Sequence, residues 1–362
     1  EDVGLSSEAL ARLKDVVQRY IDRDMAVGAE LLVVKDRRTV LHEAFGWRDR
    51  EAEVPMERDS IFNIRSMTKP VTGAAAQALI DDDVLALDDR VADHLPGFDT
   101  EASRDITVEQ LLTHTSGLPL TTVSAVDQFE SLQAMADATG EGGPQFESGS
   151  KFWYSDAGAD ALGAVVEQAS GLPLADFVRE RLLTPLGMED SYYPGEATGP
   201  QVDRTASLYV GRTGEWTRFW GPDEEPFYPY AWGSQSLYST PRDYARFLAM
   251  WLDGGMAGDS AVLTPEAVER TLTPVTPMGQ LGSDTPYPTR FPGLTVYHGQ
   301  MALMHLDDEP ATGAEPVILG YSGSDGTIAW AWPERDLLIL YFTQSRGGAT
   351  PIRLEAEIQR LL

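Results

Sequence analysis

Ser66 and Lys69 stand three residues apart in the stretch NIRSMTKPVTGAAAQALI, residues 63–80, with Pro70 directly after the lysine. On a helix, positions i and i+3 share a face, so a hydroxyl and an amine at this spacing can come within hydrogen-bonding reach. Proline lacks an N–H and is tolerated in a first helical turn, so Pro70 predicts a helix that begins near Ser66. There, unpaired backbone N–H groups and the helix dipole favour developing negative charge. A serine so placed could be an acyl-transfer nucleophile, although a surface serine capping a helix would show the same spacing. Lys69 could accept the serine proton only as a neutral amine, a form that partial burial favours.

A second constellation, FWYSDAG, sets Tyr154, Ser155 and Asp156 at the predicted start of another helix, after a loop rich in Gly, Ser and Pro. A tyrosine beside a lysine can share a proton with it, and either can relay the serine proton to a leaving group. Without the Ser66–Lys69 spacing, Tyr154 would read as a packed aromatic. A Ser-His-Asp triad needs a poised histidine, and the five present are His42, His94, His114, His298 and His305. His114, in LLTHTSGLP, reads as structural. No His pair has metal-ligand spacing and no cysteine is present, so neither a metal centre nor a thiolate nucleophile is expected, and no cofactor motif occurs. GYSGS, residues 320–324, fails the G-x-S-x-G elbow because its fifth residue is Ser324.

Elements must hold these groups in place. Leu10, Leu13, Val16, Val17 and Tyr20 recur at helical spacing and predict a helix over 5–24. Two Val- and Leu-rich runs between 29 and 49, joined by a charged turn at 35–38, predict a hairpin, and GTIAWAWPERDLLILYFTQS predicts a second one before a final helix over 351–362. Helices are predicted at 70–83, 107–113, 156–170, 173–183 and 241–252. Long loops are predicted at 139–150 and 221–234. The fold class expected is therefore α/β of the α+β type: an antiparallel sheet from both chain ends, flanked by terminal helices, with an inserted, mainly helical lobe. The division expected is 1–66 with 233–362 for the sheet lobe and 67–232 for the helical lobe, with the site in the groove between them.

Composition limits the partners. The 362 residues, 42% hydrophobic, can bury one large core or two medium ones, and no run approaches the roughly 18 apolar residues of a membrane span. With 57 acidic against 28 basic residues, the net charge of −29 repels phosphate backbones, so nucleic acid is not an expected partner. The acidic surface, with lysine only at Lys14, Lys35, Lys69 and Lys151, fits a salty habitat and ordinary solubility alike. The start, Glu1-Asp2-Val3, fits a cytoplasmic protein or one trimmed of a signal, and leaves compartment and oligomeric state open.

Taken in order, SIFNIRSMTKPVTGAAAQALI, ITVEQLLTHTSGLP, FWYSDAGADALGAVVEQASG, LLTPLGMEDSYY, SLYSTPRDYARFLAMWLDGG and GYSGSDGTIAWAWPERDLLILYF resemble the blocks of the serine β-lactamase and penicillin-binding-protein superfamily, over about 60–340. The resemblance is to the class C-like branch and, within it, to the family VIII carboxylesterases. It implies a β-lactamase or DD-peptidase-like fold, with Ser66 acylated, Lys69 accepting its proton and Tyr154 moving protons to the leaving group and later activating water. Asp156 stands where β-lactamases usually carry asparagine and would touch Lys69 or the substrate. The chain departs from the pattern at the third motif: Tyr321-Ser322-Gly323 replaces K-T-G or His-x-Gly, so the cation that binds a substrate carboxylate is absent. A charge-assisted bond of that kind contributes about 1.5 to 3 kcal/mol, so its loss should weaken carboxylate-bearing substrates roughly tenfold or more. Gly323 would let the strand approach the acyl group, and the N–H groups of Ser66 and Ser324 would form the oxyanion hole. The aromatic run Trp216, Trp220, Phe227, Tyr228, Tyr230 and Trp232 is expected to wall an apolar pocket, with Trp232 and Gln235 lining it. The function expected is hydrolysis of small carboxylic esters; a β-lactamase or D-amino-acid peptidase and a non-catalytic binding homologue are the alternatives.

Overall fold

The computed structural model describes residues 6–279, 291–307 and 314–361. Its centre is a nine-stranded sheet with neighbouring strands antiparallel, in the order Thr276–Pro277, Leu294–His298, Leu303–Asp307, Ile318–Ser322, Ile328–Trp332, Leu337–Thr343, Gly28–Lys35, Arg38–Asp49 and Val54–Pro55. The two chain ends meet in mid-sheet, where Leu32 pairs with Leu340. These central strands are mostly apolar because both faces are covered, with Glu30 the buried charged exception. Tyr341 reaches the C-terminal helix Thr350–Leu361 through Thr350 Oγ1 at 2.9 Å. Its neighbour Phe342 points to the other face and meets Tyr244 of the helix Pro241–Leu252. The N-terminal helix Ser7–Asp22, capped by Ser6, buries Leu13, Val16, Val17 and Tyr20 and packs beside the C-terminal helix.

Between the two sheet-forming ends lie the helices that carry the site. Thr68–Asp81 is buried from Thr68 to Leu79, and its Gly and Ala content, rather than an apolar stripe, is what permits burial all round. Gly73 is required there, since a Cβ would stand 2.6 Å from Met301 Cβ. Asp156–Ser170 packs across it. The helix Leu132–Gly142 takes up the start of the segment expected as a loop at 139–150. A hairpin, Leu208–Arg212 with Glu215–Trp220, lies within the stretch expected to be mainly helical, and Ser345–Arg346 pairs with it in parallel. No helix among the described residues is long and apolar enough to cross a membrane.

Candidate active site

The nucleophile candidate sits on a short 3-10 turn, Arg65–Met67, that runs into the helix Thr68–Asp81, so Pro70 is the third residue of that helix. From Ser60 to Leu79 every residue is buried except Ser66. The segment is held from the opposite side by Phe62–Asn63 pairing with Tyr238–Ser239, by Ile64 N–H donating to Leu237 O at 3.0 Å, and by Leu237 N–H donating to Thr68 Oγ1 at 3.1 Å. These bonds bring residues 233–240 against the start of the nucleophile helix.

Lys69 is fully buried, and its Nζ has three neighbours: Asp156 Oδ1 at 2.6 Å, Ser234 O at 3.0 Å and Ser66 Oγ at 3.3 Å. The carboxylate and the carbonyl can only accept, so each takes one N–H. The remaining corner of the tetrahedral nitrogen is directed at Ser66 Oγ, where it donates as an ammonium and accepts the serine proton as an amine. Asp156 compensates the buried charge, which would otherwise be costly. Nζ also lies 4.7 Å from the ring centroid of Tyr154.

Tyr154 is positioned from below and behind. Ser155 caps the helix Asp156–Ser170, its Oγ accepting from Gly158 N–H and donating to Pro119 O at 2.7 Å. Trp153 N–H donates to His114 O at 2.7 Å, and Ser155 N–H to His114 Nδ1 at 3.3 Å. The His114 ring lies 4.8 Å from both Tyr154 and His298. Burial lowers the pKa of His114 well below the ordinary value, with His298 and then Lys69 adding to the effect. A neutral imidazole that accepts at Nδ1 carries its proton on Nε2. His114 thus packs against Tyr154 and does not border the cavity on which Ser66 opens.

Ser66, Tyr154, Asp156, Gln235, Tyr321, Ser322, Gly323 and Ser324 all border one cavity of about 410 Å³. No turn or loop hydrogen bond among the described residues engages the N–H of Ser66 or of Ser324. Tyr321 is buried, and burial followed by the neighbouring Tyr154 pushes its phenol well above the ordinary value, so it is uncharged. Of the expected site residues, Lys69 is buried and reaches the cavity only through Ser66, and Trp232 packs in the core at 5.1 Å from Tyr228. None of the six aromatics of that run borders the cavity. Trp216 packs with Val27 and Tyr209, Trp220 meets Tyr238, and Phe227 and Tyr228 lie on the guanidinium of Arg65. Trp216 and Trp220 belong to the strand Glu215–Trp220, and in the loop that follows a buried cation draws Phe227 and Tyr228 away. Instead the apolar wall comes from Leu120, Met278, Leu303, Ile328, Trp330 and Ile352. These residues are scattered along the chain, and no local pattern marks them.

Asp160, one turn after Asp156, also escaped the sequence reading. It is buried and accepts from Ser234 N–H at 2.9 Å, which fixes the carbonyl that Lys69 uses. Burial, reinforced by the charge of Asp156, pushes its carboxyl up from 3.8 to about 7. A carboxyl with a raised folded pKa contributes stability that is present below its unfolded value and lost as pH rises through the folded one. Asp160→Asn keeps the acceptor and removes the ionisation. Its melting temperature relative to wild type should therefore rise between pH 4 and pH 8, by on the order of 2 to 4 kcal/mol of stability at the upper end. Melting curves at the two pH values check this; an offset that does not change with pH refutes it.

Among the described residues, no cluster of His, Asp and Glu could hold a metal ion. A family model described as Beta-lactamase matches residues 13–362. The chain is 34% identical to penicillin-binding protein 4 of Amycolatopsis lactamdurans, over 64% of this chain and 61% of that one. It is 35% identical to esterase EstB of Burkholderia gladioli, over 50% of each. Among solved structures, EstCE1, described as a hydrolase with promiscuous acyltransferase activity, superposes with a TM-score of 0.79 at 22% identity, covering 97% of this chain and 99% of that one. With the matched model spanning nearly the whole chain and a buried lysine directed at the one accessible serine of its segment, this protein belongs to the beta-lactamase family of serine hydrolases.

Proposed function

We propose that the protein hydrolyses carboxylic esters through an acyl-enzyme on Ser66. One observation carries this reading: Ser66 opens on a cavity with a largely apolar wall that the uncharged Tyr321 borders, the residue that by resemblance stands where the family carries a cation. Ser66 Oγ attacks the ester carbonyl carbon while its proton passes to the Lys69–Tyr154 pair. The oxyanion accepts from the N–H groups of Ser66 and Ser324. Collapse breaks the bond to the alcohol oxygen, which leaves with the proton held by the pair. Water, losing a proton to the same pair, then attacks the acyl carbon and releases the acid and Ser66. Asp156 holds Lys69, and Gln235 and Ser322 contact the substrate.

A second reading rests on Arg346. Its guanidinium borders the same cavity, is 40% exposed and lies 3.2 Å from Ser324 Oγ. It could hold a carboxylate in place of the missing cation, which favours a β-lactamase or D-amino-acid peptidase. Rates on short p-nitrophenyl esters and on a chromogenic cephalosporin separate the two. The ester reading expects kcat/KM for the ester to exceed that for the cephalosporin by about tenfold or more, the cost of one charge-assisted bond. A faster cephalosporin assigns the site to Arg346 and carboxylate-bearing substrates. Failure of a fluorophosphonate to label wild-type Ser66 leaves a non-catalytic binding protein.

A further inference from the structure

The geometry points to a buried ion pair, Arg65 with Asp325, as the device that sets the separation of the two oxyanion donors; the inference rests on the acyl-enzyme reading above. The two residues adjoin the donors in sequence, Arg65 directly before Ser66 and Asp325 directly after Ser324. They lie 260 residues apart in the chain and are 2% and 0% exposed. Neither borders the cavity, so neither can act by touching substrate. Both are positioning residues.

Two nitrogens and a face of the Arg65 guanidinium are engaged. Nε donates to Asp325 Oδ2, one terminal nitrogen donates to the Tyr228 hydroxyl, and the plane lies 4.7 Å from the Phe227 ring centre and 5.4 Å from that of Tyr228. A planar fork held at its edge and its face has a single orientation. The backbone of Arg65 has φ of +50°, the left-handed region that a residue with a Cβ disfavours. Its N–H donates to Asn63 Oδ1 at 3.0 Å. The ion pair therefore holds the residue in front of the nucleophile in a conformation it would not keep alone, and that conformation aims the Ser66 N–H.

The facing segment is secured against the same point. Asp325 O accepts from Ser345 N–H at 3.0 Å, and Asp325 Oδ1 stands 3.0 Å from Arg346 Nε. Gly323 lies bare against the nucleophile segment, where a Cβ would meet Ile64 O at 2.4 Å. Packing stops the two segments from moving closer, and the ion pair resists their separation beside one weaker link, Thr327 Oγ1 donating to Ile64 O at 3.4 Å. Relaxing Arg65 would turn the Ser66 N–H away from the oxyanion while leaving the cavity wall intact, so kcat should fall without a change in KM.

Asp325→Asn in the full chain tests this, because it keeps the size and an acceptor but removes the charge. The kcat and KM for a p-nitrophenyl ester, the rate of Ser66 labelling by a fluorophosphonate per titrated site, and the melting temperature are measured together. The expected result is a kcat and labelling rate lower by about 10- to 100-fold with KM within about 3-fold, the size of effect that sub-ångström misplacement of donors produces. Arg65→Lys, which keeps the charge and loses the fork, should lie between wild type and Asp325→Asn. Tyr228→Phe deletes one oxygen and leaves the ion pair; should Asp325→Asn not fold, a fall of about 3-fold in kcat at constant KM for Tyr228→Phe supports the inference on the same grounds. Folded variants that label at the wild-type rate, or that raise KM at constant kcat, overturn it and leave the pair a prop of the fold. A wild-type protein that never labels removes the acyl-enzyme reading itself, a result distinct from labelling that the variants leave unchanged.

Discussion

Ser66→Ala is expected to lower kcat/KM on an activated ester by at least about 10⁴-fold and to abolish covalent labelling, the scale seen when a nucleophile acting as one unit with its base is removed. Ser66 alone in its segment meets the cavity, and the third corner of the Lys69 amine is directed at its Oγ. Two neighbouring serines are poorly placed to substitute for it: Ser234 Oγ is buried, and Ser324 Oγ accepts from Arg346. The change deletes one oxygen from a partly exposed side chain, so the melting temperature should stay within a few degrees of wild type. Steady-state rates beside labelling and a melting curve check it, and a folded variant that retains a tenth of the activity would disprove the role.

Lys69→Ala should reduce kcat/KM by about 10³-fold or more, since general-base assistance and the orientation of the serine are lost together. Unlike the serine variant, it should also destabilise the fold. Asp156 would lose its counter-ion at 2.6 Å while facing Asp160, and Ser234 O would lose its donor. Removing one partner of a buried pair costs about 3 to 5 kcal/mol, discounted here because Asp156 remains partly exposed. The double variant Lys69→Ala with Asp156→Asn should recover part of the melting temperature and none of the activity. Recovery of activity in it would contradict the role of the amine.

The local chemistry was legible in the sequence because it depends on neighbours a few residues apart. The serine, lysine and proline spacing required a helical start, and the structure adds that Ser66 itself sits on a 3-10 turn ahead of the α-helix. The helices expected at 156–170 and 241–252 are found with those bounds, and the structure shows Ser155 and Thr240 capping them with their side chains. Terminal hairpins of Val, Ile and Leu required a sheet built from both ends, since only burial on two faces accommodates such runs. The hairpin at 208–220 was not foreseen, because its short, half-exposed strands carry a weak alternation and pair with a two-residue partner more than a hundred residues away.

The pocket was much less legible. Aromatic content over 216–232 pointed to a wall that the structure builds from Leu120, Met278, Leu303, Ile328, Trp330 and Ile352 instead. Which side of a loop residue faces the site is a tertiary matter, and here the guanidinium of Arg65 claims Phe227 and Tyr228. Sequence alone supplied the candidates for acyl transfer, Ser66, Lys69 and Tyr154, and showed Tyr321-Ser322-Gly323 to lack a cation, because residue identity and helical spacing are properties of the chain. Only the tertiary structure decided that Asp156 and Ser234 take two corners of the lysine, that Asp160 fixes Ser234, and that Arg346 enters the cavity from the strand after the final hairpin. Those contacts join segments tens to hundreds of residues apart, and the folding of the sheet around the buried helix brings them together.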